Sequence, residues 1–145
     1  MIDVATDRDL RFILARAKDS ANEGVLQKNV ISQAQALQMV RMILEEGAHY
    51  LVYRNSDQSI AGWILIGENI DLINNQPHAY IFELYVLPPY RNYGIAKHLL
   101  QAAIDANKQR GYNEIRLNVF ANNLAKKIYK QIGFQDVHTT MTKKL

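Results

Sequence analysis

Apolar positions along the first half of the chain fall into short runs separated by capping residues and turns. Ile2 to Ala5 reads as a strand, and Thr6 or Asp7 stands where a helix cap belongs, predicting a helix through about Lys18. Asn22 to Val30 carries no clear period and admits a short helix at most. Ser32 and Gln35 have the spacing of a capping box, with Ile31 placed as its hydrophobic staple. The helix they announce puts Leu37, Val40 and Leu44 on one side and stops at Gly47. His49 to Arg54 and Ile60 to Ile66 are β-rich runs joined by Asn55-Ser56-Asp57-Gln58-Ser59, which is turn chemistry, so a hairpin is expected. Gly67 to Pro77 reads as a polar connector.

The second half alternates strand and helix patterns. Ala79 to Leu87 is almost wholly aromatic, aliphatic or β-branched, interrupted by Glu83 and ended by Pro88-Pro89. A helix is expected from about Tyr93 to Gln109, with Ile95, Leu99, Ala102, Ala103 and Ala106 on its apolar side and Gly111 behind it. Glu114 to Val119 reads as a strand. Asn122 is placed to cap a final helix whose Leu124, Ile128 and Ile132 share a face and which Gly133 ends. Phe134 to about Lys143 is expected to return as a last strand. This alternation predicts a mixed α/β domain, one unit spanning residues 1–145.

Composition narrows the function classes. Of the 145 residues 48% are apolar and 21% charged, an ordinary globular balance. No apolar run approaches the roughly 18 residues that span a bilayer, and Met1-Ile2-Asp3-Val4 lacks the marks of a secretory signal, so a cytoplasmic location is the default. Cysteine is absent, which excludes disulfides, thiolate zinc sites and thiol nucleophiles. The net charge of +3 hides an asymmetry: residues 1–85 hold 7 Lys/Arg against 11 Asp/Glu, and residues 86–145 hold 10 against 3. Either the two halves meet partners of opposite charge, or the solvated surface is uneven.

Chemistry concentrates in Glu83-Leu84-Tyr85-Val86-Leu87-Pro88-Pro89-Tyr90-Arg91-Asn92-Tyr93-Gly94-Ile95-Ala96, a buried strand and short loop before Arg-x-x-Gly-x-Ala opens a helix. A helix start offers unpaired amide N–H groups and the positive end of its dipole, which suit phosphate oxygens. Gly94 and Ala96 keep side chains short where a backbone has to approach a diphosphate closely. Packing alone also produces small-residue turns of this kind. The chain has no Gly-x-x-x-x-Gly-Lys-Ser/Thr, Gly-x-Gly-x-x-Gly, Gly-x-Ser-x-Gly or His-Glu-x-x-His, so P-loop, dinucleotide, serine-hydrolase and zincin templates fail.

The segment Val86 to Ala96 resembles the acetyl-CoA signature of the GNAT superfamily of N-acetyltransferases, Arg/Gln-x-x-Gly-x-Gly/Ala after a strand ending near Val-x-Pro. Ala96 stands in place of the commoner glycine. Asn122-Asn123-Leu124-Ala125-Lys126-Lys127-Ile128-Tyr129-Lys130-Gln131-Ile132-Gly133-Phe134 is similar to that family's second signature, Asn-x-x-Ala-x-x-x-Tyr-x-x-x-Gly-Phe, at the family's spacing. The resemblance implies a β-α-α-β-β-β-α-β-α-β order with a mostly antiparallel sheet splayed at its centre. It also implies acetyl-CoA as co-substrate, with the backbone of Arg91, Asn92, Tyr93, Gly94, Ile95 and Ala96 on the pyrophosphate, Arg91 adding charge there (a surface arginine being the plain alternative), and the freed backbone of Leu84 and Val86 along the pantetheine arm.

Direct transfer to an amine in a ternary complex makes three demands: a neutral amine, a polarised thioester carbonyl and a proton for the departing thiolate. The family places a tyrosine near the CoA sulfur, which makes Tyr129 the candidate acid; a tyrosine reaching from core to surface is the plain alternative. Glu83 is the candidate base, directly or through water, because a carboxylate inside an apolar strand has to be paired, to face a cleft or to act. A structural salt bridge or an anchor for a cationic acceptor would serve it equally. Asn122 divides between helix cap and cofactor contact. Lys126, Lys127 and Lys130 divide between the 3′-phosphate of CoA and an ordinary solvated face. The four histidines, at 49, 78, 98 and 138, have no ligand spacing, and no metal is expected.

The expected partner is a small-molecule or peptide amine, with a small cationic amine slightly favoured by the acidic N-terminal half. No nucleic acid or membrane partner is expected, and a homodimer fits what is common among similar proteins. A catalytically silent acyl-CoA sensor of the same fold is the competing reading.

Overall fold

The computed structural model describes residues 1–26 and 30–145. Strand β1 (Ile2–Val4) leads into helices α1 (Asp7–Leu14), α2 (Ala17–Gly24) and α3 (Gln33–Glu45), then strands β2 (His49–Arg54), β3 (Ile60–Ile70) and β4 (Pro77–Val86). A single 3-10 turn at Pro88–Tyr90 precedes helix α4 (Ile95–Gln109), strand β5 (Ile115–Leu117) and helix α5 (Ala125–Ile132). The five strands lie in sequence order in one sheet, antiparallel from β1 to β4 and parallel between β4 and β5.

Strand alternation sorts the core into two layers. Leu51, Ile64, Ile66 and Ile81 face Ile95, Leu99, Leu100 and Ala103 of α4, and Ile128 and Ile132 of α5 pack on the same side. Tyr50, Val52, Trp63, Leu65 and Tyr85 face Ile13 of α1, with Val40, Ile43 and Leu44 of α3 against them. Gly62 is required where β3 and β4 meet: a Cβ there would lie 2.7 Å from the Tyr85 carbonyl oxygen.

The predicted capping box at Ser32 forms, and the predicted cap at Thr6 proves to be a box as well. Thr6 Oγ1 accepts from Asp9 N while the Asp9 carboxylate accepts from Thr6 N, and Ser32 and Gln35 do the same at α3. Several expected boundaries move. The helix expected through Lys18 breaks after Leu14, and Gln33 bridges the break by donating to Leu14 O and accepting from Lys18 N. The ambiguous stretch from Asn22 is α2 as far as Gly24, and residues 27–29 lie outside the described set. The expected polar connector is instead the outer arms of a hairpin, paired from Gly67↔Tyr80 to Ile70↔Pro77 and turned at Asp71, whose Oδ1 accepts from Ile73 N. Its polar residues belong to a strand because the arms project past the core into solvent.

The first helix after the small-residue turn begins at Ile95 rather than Tyr93, because Asn92 and Gly94 both adopt left-handed φ values of 68° and 79°. Leu124 stands exposed before α5 instead of sharing its apolar face. No strand forms after Gly133. Phe134 packs on the core, but Val137 and Met141 are exposed, and β-branched residues with no surface to cover gain nothing from strand geometry.

Asp9 ties β1, α1 and β2 together. Its carboxylate takes both ends of the Arg54 guanidinium, whose Nε also reaches Asp3 at 3.3 Å. The Arg54 hydrogen bonds, aided by those from Thr6, hold the Asp9 carboxyl at about 2 against an ordinary 3.8. A depressed carboxyl stabilises the fold fully above its free value and loses that contribution as pH falls through the folded value. Asp9→Asn is therefore expected to cost about 2–3 kcal/mol at neutral pH, the range for hydrogen bonds to charged groups. Urea denaturation of this variant should also show a weaker loss of stability between pH 4 and pH 2 than the parent.

Candidate functional site

The pairing of β4 with β5 is short. It runs from Ala79↔Ile115 to Ile81↔Leu117 and goes no further, whereas β4 continues to Val86. Phe82 to Val86 thus keeps β3 on one side and has no strand on the other. Leu87 N donates to Ala61 O on the β3 side at 2.8 Å. Alternation then aims the backbone groups of Leu84 and Val86 at the open edge. The splay opens between β4 and β5, the last strand of the sheet, and so lies toward its edge rather than at the expected centre, because no strand forms beyond β5 among the described residues.

A β-bulge sets what faces that opening. Leu65 pairs with Glu83 but Ile66 pairs with Ile81, so Phe82 is the extra residue. Without it Glu83 would share the α4 face with Ile81; with it Glu83 turns to the face of Trp63 and Tyr85. There Glu83 Oε2 accepts from Trp63 Nε1 at 2.6 Å and Ser20 Oγ at 2.7 Å, and Oε1 accepts from Tyr50 OH at 2.9 Å. Trp63 is fully buried and Ser20 lies on α2, so the carboxylate fastens α2 to the sheet. Burial and the adjoining Glu83 charge push the Tyr50 hydroxyl well above its ordinary value, which keeps it a donor. Among the described residues, no cationic side chain pairs with Glu83.

Tyr129 lies on the other side of the opening. It sits half-buried against the α4 layer, its ring 5.9 Å from that of Phe134. Burial raises its hydroxyl above the ordinary value of 10.0, and the negative charge of Glu23 on α2 adds to the effect. Its phenol therefore stays protonated through neutral pH. Glu83 and Tyr129 occupy opposite faces of the sheet, with no hydrogen bond between them.

The turn expected to take a diphosphate stands directly before α4. His98 N donates to Gly94 O as the first bond of α4, so the amides of Ile95, Ala96 and Lys97 have no acceptor within the helix. At Gly94 a Cβ would meet nothing within 4 Å, so the space over the turn is open. Arg91 does not point into that space. Its Nε donates to Val86 O at 2.8 Å, and its guanidinium pairs with Glu23. Tyr93 is largely exposed beside the turn.

Asn122 does not cap α5. Asn123 does so locally, its Oδ1 accepting from Ala125 N at 2.9 Å, while Asn122 lines an open hollow of about 520 Å³ with Lys126, Lys127 and Lys130. Lys126 and Lys130 both pair with Asp136, at 3.4 and 3.1 Å, leaving Lys127 outside that pairing. Ser20, Tyr50 and Trp63 around Glu83, and Glu23 against Arg91, were not foreseen from sequence. All of these needed the tertiary structure, since the bulge at Phe82 decides that Glu83 shares the face of Tyr50 and Trp63.

The acetyltransferase (GNAT) family pattern matches residues 10–134. The chain belongs to the GNAT family. It is 36% identical over 104 residues to the uncharacterized N-acetyltransferase YycN of Bacillus subtilis (strain 168), covering 70% of this chain and 65% of that protein. It is 30% identical over 98 residues to the [ribosomal protein bS18]-alanine N-acetyltransferase of Haemophilus ducreyi, covering 66% and 63%. The matched segment thus spans just under two thirds of the length of these curated relatives. Among solved structures, a candidate acetyl transferase from Pyrococcus furiosus superposes with a TM-score of 0.85 at 23% identity, covering 100% of this chain and 99% of that one. The aminoglycoside 6′-N-acetyltransferase of Acinetobacter haemolyticus superposes at 0.72 with 22% identity over the same shares. These two establish the GNAT fold.

Tyr50→Phe removes one donor from Glu83 with almost no change of volume. Urea denaturation is expected to show a loss of about 1–3 kcal/mol, the range for a hydrogen-bond partner left unsatisfied.

Proposed function

We propose that the protein transfers the acetyl group of acetyl-CoA to a primary amine in a ternary complex formed at the splay. The open β4 edge from Phe82 to Val86, running on into the unobstructed turn at Gly94, carries this reading. An edge of that kind accepts an extended amide-bearing chain as an added strand, here Leu84 and Val86 against a pantetheine arm. The free amides of Ile95 and Ala96, at the positive end of α4, fit a diphosphate. Acetyl-CoA brings an already activated thioester, so no covalent nucleophile is needed from a chain without cysteine.

Tyr129 supplies the proton for the departing sulfur, a role served by a hydroxyl held protonated. Glu83 receives the proton of the attacking amine through water and provides a fixed negative charge for its cationic form. Three neutral donors hold that carboxylate in place, and no arginine or lysine among the described residues competes for it. Asp19, Glu23 and Glu83 make the acceptor side acidic, which favours a small cationic amine. An amino-terminal alanine of a protein is the second reading, supported by the name of the Haemophilus relative.

Release of free thiol from acetyl-CoA, measured over polyamines, amino sugars and alanine-ended peptides, tests the reaction. Binding of CoA without turnover across that panel would favour an acyl-CoA sensor instead. Tyr129→Phe should lower kcat at least ten-fold while the CoA dissociation constant barely moves; an unchanged kcat removes Tyr129 from the mechanism. For the parent, rates should climb with pH as the amine deprotonates, with no descending limb from Tyr129 below about pH 10.

A further inference from the structure

Arg91 lies across the backbone edge that the proposed cofactor contact requires. From the turn before α4 it folds back onto β4, where Nε takes Val86 O at 2.8 Å, Nη2 stands 2.5 Å from Glu23 Oε1 and the guanidinium carbon lies 5.4 Å from the Tyr85 ring centroid. Val86 O belongs to the open edge, so any chain laid there as an added strand has to compete with Arg91 for it. The ion pair is half-exposed, with side-chain exposures of 37% and 44%. Such a pair is weak enough to exchange partners. A guanidinium fork fits a diphosphate as well as a carboxylate, and a dianionic partner outbids a single one. Arg91 is the cation that immediately precedes the turn in the chain.

We propose that Arg91 is a latch on the cofactor groove: Glu23 holds it over Val86 O in the free protein, and it passes to the diphosphate as CoA settles along β4. Glu23 is then a positioning residue that acts through Arg91 and gates entry of the cofactor. Opening the latch also leaves Glu23 without its cation where its charge already reaches Tyr85 and Tyr129. The inference builds on the acetyl-CoA reading above and deepens it.

Calorimetric titration of CoA into the parent, Glu23→Gln, Arg91→Ala and the double variant tests it without any acceptor. The latch predicts that Glu23→Gln binds CoA about two- to five-fold tighter than the parent, the span expected for an exposed ion pair. It predicts that Arg91→Ala binds more weakly, and that Glu23→Gln adds nothing once Arg91 is gone. Equal affinity of Glu23→Gln and the parent overturns the latch and leaves acetyl transfer standing. An equal gain in both backgrounds also overturns it, because Glu23 then acts by plain repulsion of an anion. Arg91→Ala binding as tightly as the parent overturns the handover. Failure of the parent itself to bind CoA at millimolar concentration removes the acetyl-CoA reading and the latch with it.

Discussion

Backbone hydrogen bonds that β4 makes with only one neighbour govern the organisation of this protein. From Ala79 to Ile81 the strand is paired on both sides, and from Phe82 onward it is paired with β3 alone. Unpaired strand edges in a protein interior are costly unless something else meets their amides and carbonyls. Here Arg91 meets one of them at Val86. The two core layers pack on opposite faces of the sheet, with Glu83 bonded on the α1–α3 face and Tyr129 packed on the α4–α5 face.

Electrostatic arrangement follows from the same opening. The Glu83 carboxylate is held by neutral donors, so its charge is retained but not cancelled. Tyr129 is raised by burial and by Glu23, so its proton is retained. A fixed charge and a retained proton are what the proposed acyl transfer to an amine asks for. Helix α2 adds the coupling: Ser20 binds Glu83 while Glu23, less than one turn later, pairs with Arg91. One short helix thus touches both the Glu83 carboxylate and the side chain that covers the open β4 edge.

GNAT membership rests on residues 10–134, and the overlap with longer relatives leaves the acceptor to be found by assay. Acidic residues on the proposed acceptor side and the name of one relative point to different amines. What the fold adds is a reason for Phe82, a residue no motif singles out. As the extra residue of the bulge, it decides which face Glu83 looks toward.

The sequence by itself determined the parts governed by nearby residues: the cap at Thr6, the capping box at Ser32–Gln35, the β2–β3 hairpin, the strand ended by Pro88-Pro89, and the small-residue turn at Gly94 before α4. Each depends on interactions spanning a few positions, so spacing and propensity are enough. The two signature segments also carried the family and the name of Tyr129, and Glu83 stood out as a lone carboxylate in an apolar strand. Tertiary structure decided the rest, because the deciding contacts join residues far apart in the chain. Ser20, Tyr50 and Trp63 converge on Glu83 only after the bulge turns it, and Glu23 meets Arg91 only once α2 lies over the open edge. The expected final strand failed for the converse reason: its β-branched residues found no apolar surface to cover, and local propensity without burial does not make a strand.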